Sequence, residues 1–208
     1  MALDRMTVVR TALEVLNEVG LEALTLRRIA TRLDVQAPAL YWHFKNKQEL
    51  VDEMATRVLV AATDGPDADW SGLDWREVAR RLGHGLRQAL LAHRDGARMV
   101  AGTHLTDTGM YTAMERALTV FTEAGFTLAE AATAFSTVYH FTIGFVIEEQ
   151  AVQPMPGERD PSYDLAARTA RMDGERTPLS IQAGPELFTD FDRRYTAGLD
   201  LIIRGLER

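Results

Sequence analysis

One segment, LTLRRIATRLDVQAPALYWHFKNK at residues 24–47, constrains the fold of this chain more than any other part of the sequence. Its residues follow the pattern of two short helices joined by a tight turn, with Thr25 as the cap of the first and Pro38 in the first turn of the second. The second helix is expected to carry Tyr41, Trp42 and His43, and two lysines follow it closely. A helix-turn-helix that places its second helix in the major groove of DNA has this arrangement. The segment therefore predicts a DNA-binding head.

The residues around the turn support this interpretation. Ala30 and Ala37 are small enough for two helices to cross closely, and Asp34, at the turn, tolerates a left-handed backbone conformation. The alternative is that Tyr41 and Trp42 are core residues of a small helical domain, but the run HFKNK directly after them favours DNA contact. The apolar residues expected to form the head's own core are Ile29, Val35, Leu40 and Phe44.

Composition and charge limit the kinds of fold and site that the rest of the chain can form. The 208 residues suffice for one domain or two small ones, and the absence of cysteine excludes disulfides, thiolate nucleophiles and zinc–thiolate sites. Residues 1–47 hold seven Lys/Arg and five Asp/Glu, a net +2, whereas the remaining residues hold 16 and 25, a net −9. The basic excess therefore lies in the predicted head, and the body should be repelled by phosphate.

Neither the N-terminal segment nor the most apolar stretch predicts a membrane protein. The N-terminal MALDRMTVVR lacks the apolar run of a secretory signal. The uncharged stretch from residue 131 to 147 is shorter than the roughly 20 residues of a comfortable membrane span. We expect a cytoplasmic protein without membrane contact, in which this stretch lies in the core or at a subunit interface.

Helical signals dominate the whole sequence. Asp4 and Gly20 mark the ends of a first helix, Asn46 can cap a fourth, and Thr127 with Glu130 forms a capping box for an eighth. We predict an all-α fold. It consists of a three-helix helix-turn-helix domain at residues 1–46, a connecting helix at residues 47–63, and a larger helical ligand-binding and dimerisation core at residues 64–208.

The C-terminal part is predicted in two pieces. Residues 152–183, rich in proline, glycine and charge, predict a long, partly mobile loop with one short helix near residues 163–172. Pro185 is expected to start the last helix, which carries an apolar stripe as far as Leu206. Two long helices of this kind can pair with their copies as the four-helix bundle of a homodimer.

The segment LTLRRIATRLDVQAPALYWHFKNKQELVDEM resembles the DNA-binding head of the tetracycline-repressor (TetR) family, and GLRQALLAHRDGARMVAGTHL and FSTVYHFTIGFVIEEQ resemble that family's ligand-binding core. The resemblance implies a homodimeric repressor of a palindromic operator, released by a small molecule. By resemblance, Arg27 reads a base, and Ala37, Pro38, Ala39, Tyr41, Trp42 and His43 form the contact surface. The residue types add Arg28 as a second contact and Lys47 as a phosphate ligand. Because two alanines offer only methyl contacts, we expect a different operator sequence.

The same resemblance argues against tetracycline as the effector. The tetracycline repressors bind a magnesium-chelated drug through polar residues at positions that here hold Thr63, Leu82 and Val100. None of these supplies a comparable ligand for a metal, so we predict a mostly apolar effector that binds without a divalent cation or other cofactor. The residues expected to line the site are Leu82, Leu86, Val100, Thr103, Met110, Phe135, Tyr139, His140 and Glu148. For each apolar residue the alternative is core packing, and for Glu148 it is a solvated helix end.

Two other functional classes stay open at this point. An all-helical enzyme is disfavoured, because no HExxH spacing, nucleophile elbow or Gly-rich phosphate loop occurs, and the spacing of His84, His104 and Glu148 gives no reason to expect a metal site. A DNA-binding activator, or a repressor with a packed core and no ligand, is the nearer alternative. A cavity between the fifth and eighth helices would distinguish a ligand-responsive regulator from the ligandless form.

Overall fold

The computed structural model describes residues 3–63 and 70–207, and within these ranges it contains helices and turns but no strands. The α-helices are α1 (Arg5–Ala23), α2 (Leu26–Arg32), α3 (Ala37–Leu40), α4 (Lys47–Ala61), α5 (Trp75–Leu91), α6 (Gly96–Val100), α7 (Gly109–Glu123), α8 (Leu128–Val152), α9 (Leu165–Ala170), α10 (Pro178–Phe188) and α11 (Phe191–Gly205). Among the described residues, no helix is both long enough and apolar enough to cross a membrane. The all-α prediction is confirmed.

Local capping explains where the helices of the head begin and end. The Asp4 carboxylate accepts from the Thr7 amide at 2.7 Å, and Thr25 caps α2 in the same way. Gly20, at φ +77°, interrupts the helical conformation near the end of α1, and Asp34 takes the predicted left-handed conformation at φ +53°. The second helix of the motif is shorter than predicted. It ends at Leu40, so the residues 41–43 lie in the turn that follows it.

α4 follows the head and packs against both α1 and the helices of the body. The Asn46 side chain caps it, accepting from the Glu49 amide at 2.9 Å. One apolar cluster runs from Val8 of α1 through Met54 of α4 to Met99 of α6. The head and the body therefore share a continuous core. The predicted boundary between residues 63 and 64 lies at the edge of residues 64–69, which are outside the described ranges.

A second apolar cluster forms the body around α5, α7, α8 and α11. Trp75 packs edge-on against Phe126 with the ring centroids 5.1 Å apart, and Phe126 packs edge-on against Phe121 at 5.3 Å. The predicted capping box of Thr127 and Glu130 opens α8. This helix extends beyond the uncharged stretch, so it reaches from the outer end of the body to the head's side of the molecule.

In the C-terminal part, the predicted short helix near residues 163–172 is present as α9, after a 3₁₀ turn at Pro161–Tyr163. The predicted start of the last helix was wrong, because Pro185 lies inside α10, which begins at Pro178. Asp173 explains this error, since its carbonyl accepts from the Thr177 amide at 2.8 Å and forms the turn ahead of α10. Asp190 then caps the separate helix α11. Such turns depend on short side-chain bonds that hydrophobic periodicity does not detect.

Candidate DNA-reading surface and effector cavity

The aromatic residues after α3 point into solvent while their neighbours anchor them. Trp42 is 89% exposed and Tyr41 is 56% exposed, whereas Leu40 and Phe44 are fully buried. The amides of His43 and Phe44 both donate to the Leu40 carbonyl, at 3.0 and 2.9 Å. The two buried side chains thus hold a turn that presents two large rings outward. An exposed indole of this size is typical of a surface that contacts a partner.

The predicted head core is confirmed, and the predicted contact residues differ in how far they are exposed. Ile29, Leu40 and Phe44 are fully buried, and Val35 packs against them. The exposed members of the predicted contact set are Arg27, Arg28, Pro38, Tyr41 and Trp42, while Ala37, Ala39 and His43 are half-buried. The alanines can therefore offer only part of their methyl surface to a base.

Lys47 is placed differently from the prediction. It is half-buried, and its ammonium donates to the Leu21 carbonyl at 2.7 Å. In this structure Lys47 therefore satisfies a carbonyl at the end of α1 instead of presenting its charge to solvent. Lys45, two residues earlier, is exposed and is better placed for a phosphate.

Gln36 is a candidate base-reading residue that the sequence analysis missed. It is exposed at the N-cap of α3, and its side chain makes no capping hydrogen bond. The amide offers both a donor and an acceptor, the combination that reads adenine in the major groove. The available signal in the sequence was a side-chain amide directly before Ala37 and Pro38, which start the second helix.

Two adjoining cavities lie on the body's side of α4. The larger is a partly open cavity of about 380 Å³ between α4, the α6–α7 segment, α7 and α8, and the smaller, about 30 Å³, lies between α4, α5, α7 and α8. Both are lined by Leu59, Met110, Phe135 and Tyr139. The larger also has Thr103, Leu105, Tyr111, Met114, Leu118, Ala132 and Ser136 in its wall, and the smaller has Ala62, Thr63, Leu82, Leu86 and Val138. The space is mostly apolar and large enough for a small organic molecule.

The polar groups of the larger cavity are few. Its wall offers the hydroxyls of Thr103, Ser136, Tyr111 and Tyr139. Burial raises the pKa of the Tyr139 hydroxyl, which therefore stays protonated near neutral pH and can act as a donor. The Thr103 hydroxyl already donates to the Met99 carbonyl at 2.8 Å. Such a wall selects for an apolar body with a small number of hydrogen-bonding groups.

The structure brings six predicted residues to the cavities and leaves three elsewhere. Those that line a cavity are Leu82, Leu86, Thr103, Met110, Phe135 and Tyr139. Val100 is buried in the cluster shared with the head and is absent from both cavity walls. His140 and Glu148 are exposed on the outer face of α8. The structure therefore does not support a cavity position for these three residues. His140 and Glu148 lie on another face of α8 than Phe135 and Tyr139, because each step along a helix turns the side chain by about 100°, and Val100 belongs to α6.

The buried carboxylate of α8 is Glu149, the neighbour of Glu148. Arg87 of α5 donates to both of its oxygens, at 2.9 and 2.6 Å, and to Asp192 of α11 at 2.7 Å. Burial would lower the pKa of Arg87, but these hydrogen bonds outweigh it and raise the pKa. The sequence analysis missed this pair. The available signal in the sequence was the position of Arg87 within the apolar stripe of α5, because a buried arginine needs an acidic partner.

Comparison with known proteins agrees with this arrangement. The family model for bacterial regulatory proteins of the tetR family matches residues 8–54, and the model for the tetracyclin repressor-like C-terminal domain matches residues 70–208. The chain is 41% identical to the tetracycline repressor protein class A from transposon 1721 of Escherichia coli, over 97% of this chain and 89% of that protein.

Two solved structures from Streptomyces coelicolor share the fold. A possible TetR family transcriptional regulator from strain A3(2) is 41% identical with a TM-score of 0.85, covering 98% of both chains. The TetR family protein ActR, in complex with actinorhodin, has a TM-score of 0.80 at 27% identity, covering 99% of this chain and 97% of that one. The matches extend over the head and the body alike. The chain therefore belongs to the TetR family of bacterial regulatory proteins.

Proposed function

We propose that this protein is a ligand-responsive transcriptional repressor that binds a palindromic operator as a homodimer and is released by a small, mostly apolar molecule. The observation that carries the proposal is the course of α4. Its first turn, at Asn46 and Lys47, adjoins residues 41–43, the proposed DNA-reading turn, and Leu59 near its other end lines both cavities. One rigid helix thus connects the predicted effector site with the predicted operator site.

The mechanism follows from this connection. A dimer places its two recognition helices in successive major grooves only if they lie about 34–36 Å apart. A molecule that binds more tightly to a conformation with another spacing lowers operator affinity by its differential affinity, typically about 1–3 kcal/mol. A regulator that binds chromosomal operators acts in the bacterial cytoplasm, where we place this protein.

The exposed face of α8 supports the homodimer. A stripe of side chains that carries no charge from Thr133 to Gly144 faces solvent in the single chain, and it includes Thr137 and His140. On α11, Leu201 is 65% exposed. An uncharged helix face beside an exposed leucine is what an isologous helical interface requires. His140 and Glu148 therefore belong to the proposed subunit face and not to the cavity.

The proposed operator binding is tested by selecting duplexes from a random pool with the purified protein. We expect enrichment of one palindrome whose half-sites are centred about one helical turn apart. Trp42→Ala should weaken binding to it by more than tenfold, whereas Trp70→Phe, a change to a buried ring far from the head, should leave the affinity within twofold. Enrichment of no palindrome would overturn the proposed function.

The proposed effector is an aromatic, mostly apolar molecule that needs no divalent cation. Apolar walls with a few hydroxyls support this class. ActR, a relative, was solved in complex with actinorhodin, whereas the tetracycline repressors are named for a different drug. The residues Thr63, Leu82 and Val100, at positions where the tetracycline repressors hold polar drug-binding residues, distinguish this chain from those repressors.

The effector prediction is tested by screening planar aromatic compounds for release of the selected duplex. We expect at least one compound to release it equally well with and without a chelator, and loss of release on adding the chelator would contradict the prediction. Ala132→Trp places a bulky ring at the cavity, so it should raise the effector concentration needed for release by more than tenfold. Thr122→Trp, on the exposed side of α7, is the matched control and should leave that concentration unchanged.

The activator and the ligandless repressor are the alternatives within DNA binding. The cavity favours a ligand-responsive regulator over the ligandless form, because a packed core would leave no space of about 380 Å³. A reporter gene placed behind the selected operator distinguishes repression from activation by the sign of the response.

A further inference from the structure

A buried carboxylate on α4 joins the wall of the larger cavity to the DNA-reading end of the head. The Glu53 side chain is only 6% exposed, and both of its oxygens are used. Oε2 accepts from the Thr106 hydroxyl at 2.9 Å and from Arg5 Nη2 at 3.4 Å, and Oε1 accepts from Arg57 Nε at 3.0 Å. Through one side chain, Glu53 thus contacts the start of α1, the segment between α6 and α7, and its own helix.

Arg5 carries the connection to the DNA-reading turn. Its Nη1 donates to the His43 carbonyl, and its guanidinium lies 4.1 Å from the ring centroid of Phe44. Trp42 directly precedes His43, so the hydrogen bond fixes the backbone that presents the exposed indole. A shift of the Arg5 guanidinium therefore removes a support of the reading turn.

Thr106 carries the connection to the cavity. Leu105, immediately before it, lines the larger cavity, as does Met110 in the first turn of α7. The Thr106 amide donates to the Thr56 hydroxyl at 3.0 Å, so two hydrogen bonds dock this segment onto α4. A molecule that displaces Leu105 on entering the cavity must strain these bonds, one of which ends on Glu53.

We propose that Glu53 is a positioning residue through which the α6–α7 segment controls the DNA-reading turn. While Thr106 donates to Glu53, this carboxylate and that of Glu49, which accepts from Arg5 Nη1 at 3.3 Å, together keep Arg5 in place on the His43 carbonyl. Without that donor, the buried carboxylate draws Arg5 and Arg57 into a different arrangement, because a buried charge left short of hydrogen bonds is costly. The inference rests on the proposed function, since it names the residue through which an effector would act on the head.

The first test needs neither operator nor effector. Amide hydrogen exchange of the free protein is followed in peptides covering residues 37–46 for the wild type, Thr106→Val, Glu53→Gln and the double variant. Because the removed bond involves a charged partner, Thr106→Val should speed exchange in these peptides by about tenfold, although Thr106 is remote from them in sequence. The double variant should match Glu53→Gln within about twofold, since Thr106 acts only through Glu53.

A matched control separates this coupling from general loosening. Thr122→Val removes a hydroxyl that donates only within α7, to the Leu118 and Thr119 carbonyls, and should leave exchange in residues 37–46 unchanged. The inference is overturned if Thr106→Val also leaves that exchange unchanged, or if its effect adds in full to that of Glu53→Gln.

The second test measures affinity for the selected duplex with the same variants. We expect the same non-additive pattern, with Thr106→Val weakening binding by several-fold in the wild-type background and by less than twofold in the Glu53→Gln background. If no duplex is bound by the wild type while the exchange pattern appears, the proposed function fails and the coupling stands. If the wild type binds and the two effects are additive, the coupling fails and the proposed function stands.

Discussion

Replacing Arg87 by alanine should lower the free energy of unfolding by about 3–5 kcal/mol, because it leaves the buried carboxylate of Glu149 without its partner. The arginine side chain is 9% exposed and the glutamate side chain 5%. The guanidinium also lies 5.1 Å from the ring centroid of Tyr195, so the substitution removes packing between α5 and α11 as well. Urea unfolding followed by tryptophan fluorescence measures the loss.

Arg80→Ala is the matched control for this prediction. Arg80 lies on the same helix and pairs with Asp200 at 3.1 Å, but both side chains are about 40% exposed. An exposed pair of this kind contributes about 0–1 kcal/mol. An Arg87→Ala variant that lost no more stability than Arg80→Ala would show that the buried pair is not a main support of the body. Arg87→Met combined with Glu149→Leu should recover most of the loss, since the charge and its partner are removed together.

Replacing Gly144 by arginine should convert the proposed homodimer into a monomer and weaken the proposed operator binding by at least a thousandfold. A monomer contacts one half-site, and halving a binding free energy of about 12 kcal/mol moves the Kd from nanomolar to tens of micromolar. A Cβ at Gly144 meets no atom within 4 Å in the single chain. The fold should therefore tolerate the change, and helix propensity favours arginine over glycine by up to about 1 kcal/mol.

Sedimentation equilibrium gives the oligomeric state, and thermal unfolding confirms that the variant is folded. Thr122→Arg adds the same charge to the exposed side of α7, away from the proposed interface, and should stay dimeric and bind the operator normally. If the Gly144 variant also stays dimeric, α8 does not form the subunit interface on this face.

Features that depend on a few neighbouring residues were predictable from the sequence. The left-handed turn at Asp34, the capping box at Thr127 and the end of the main helical run at Gly20 were each deduced from the chain and are present in the structure. Each is held by hydrogen bonds or backbone preferences spanning no more than about four residues. The turn that starts α10 is equally local, but it was missed because Asp173 was not recognised as its acceptor.

The cavity was predictable only in part. Residues on α5, α7 and α8, such as Leu86, Met110 and Phe135, were found because they lie on apolar faces in the region that resembles the family's core. Leu59 and Ala132 were not, since their place in the wall depends on how α4 and α8 pack against α7. No spacing within one helix records that packing.

The sequence by itself determined the helical head and the membership of the family, because caps, turns and helical periodicity act over short stretches of chain. Only the tertiary structure decided which carboxylates are buried and which residues they pair with. Glu53 meets Arg5 across 48 residues and Thr106 across 53, and Glu149 meets Arg87 across 62. From the sequence alone, a glutamate on a helix is expected to be solvated. Only the assembled fold brings distant segments around it, together with the partners that offset the cost of burying its charge.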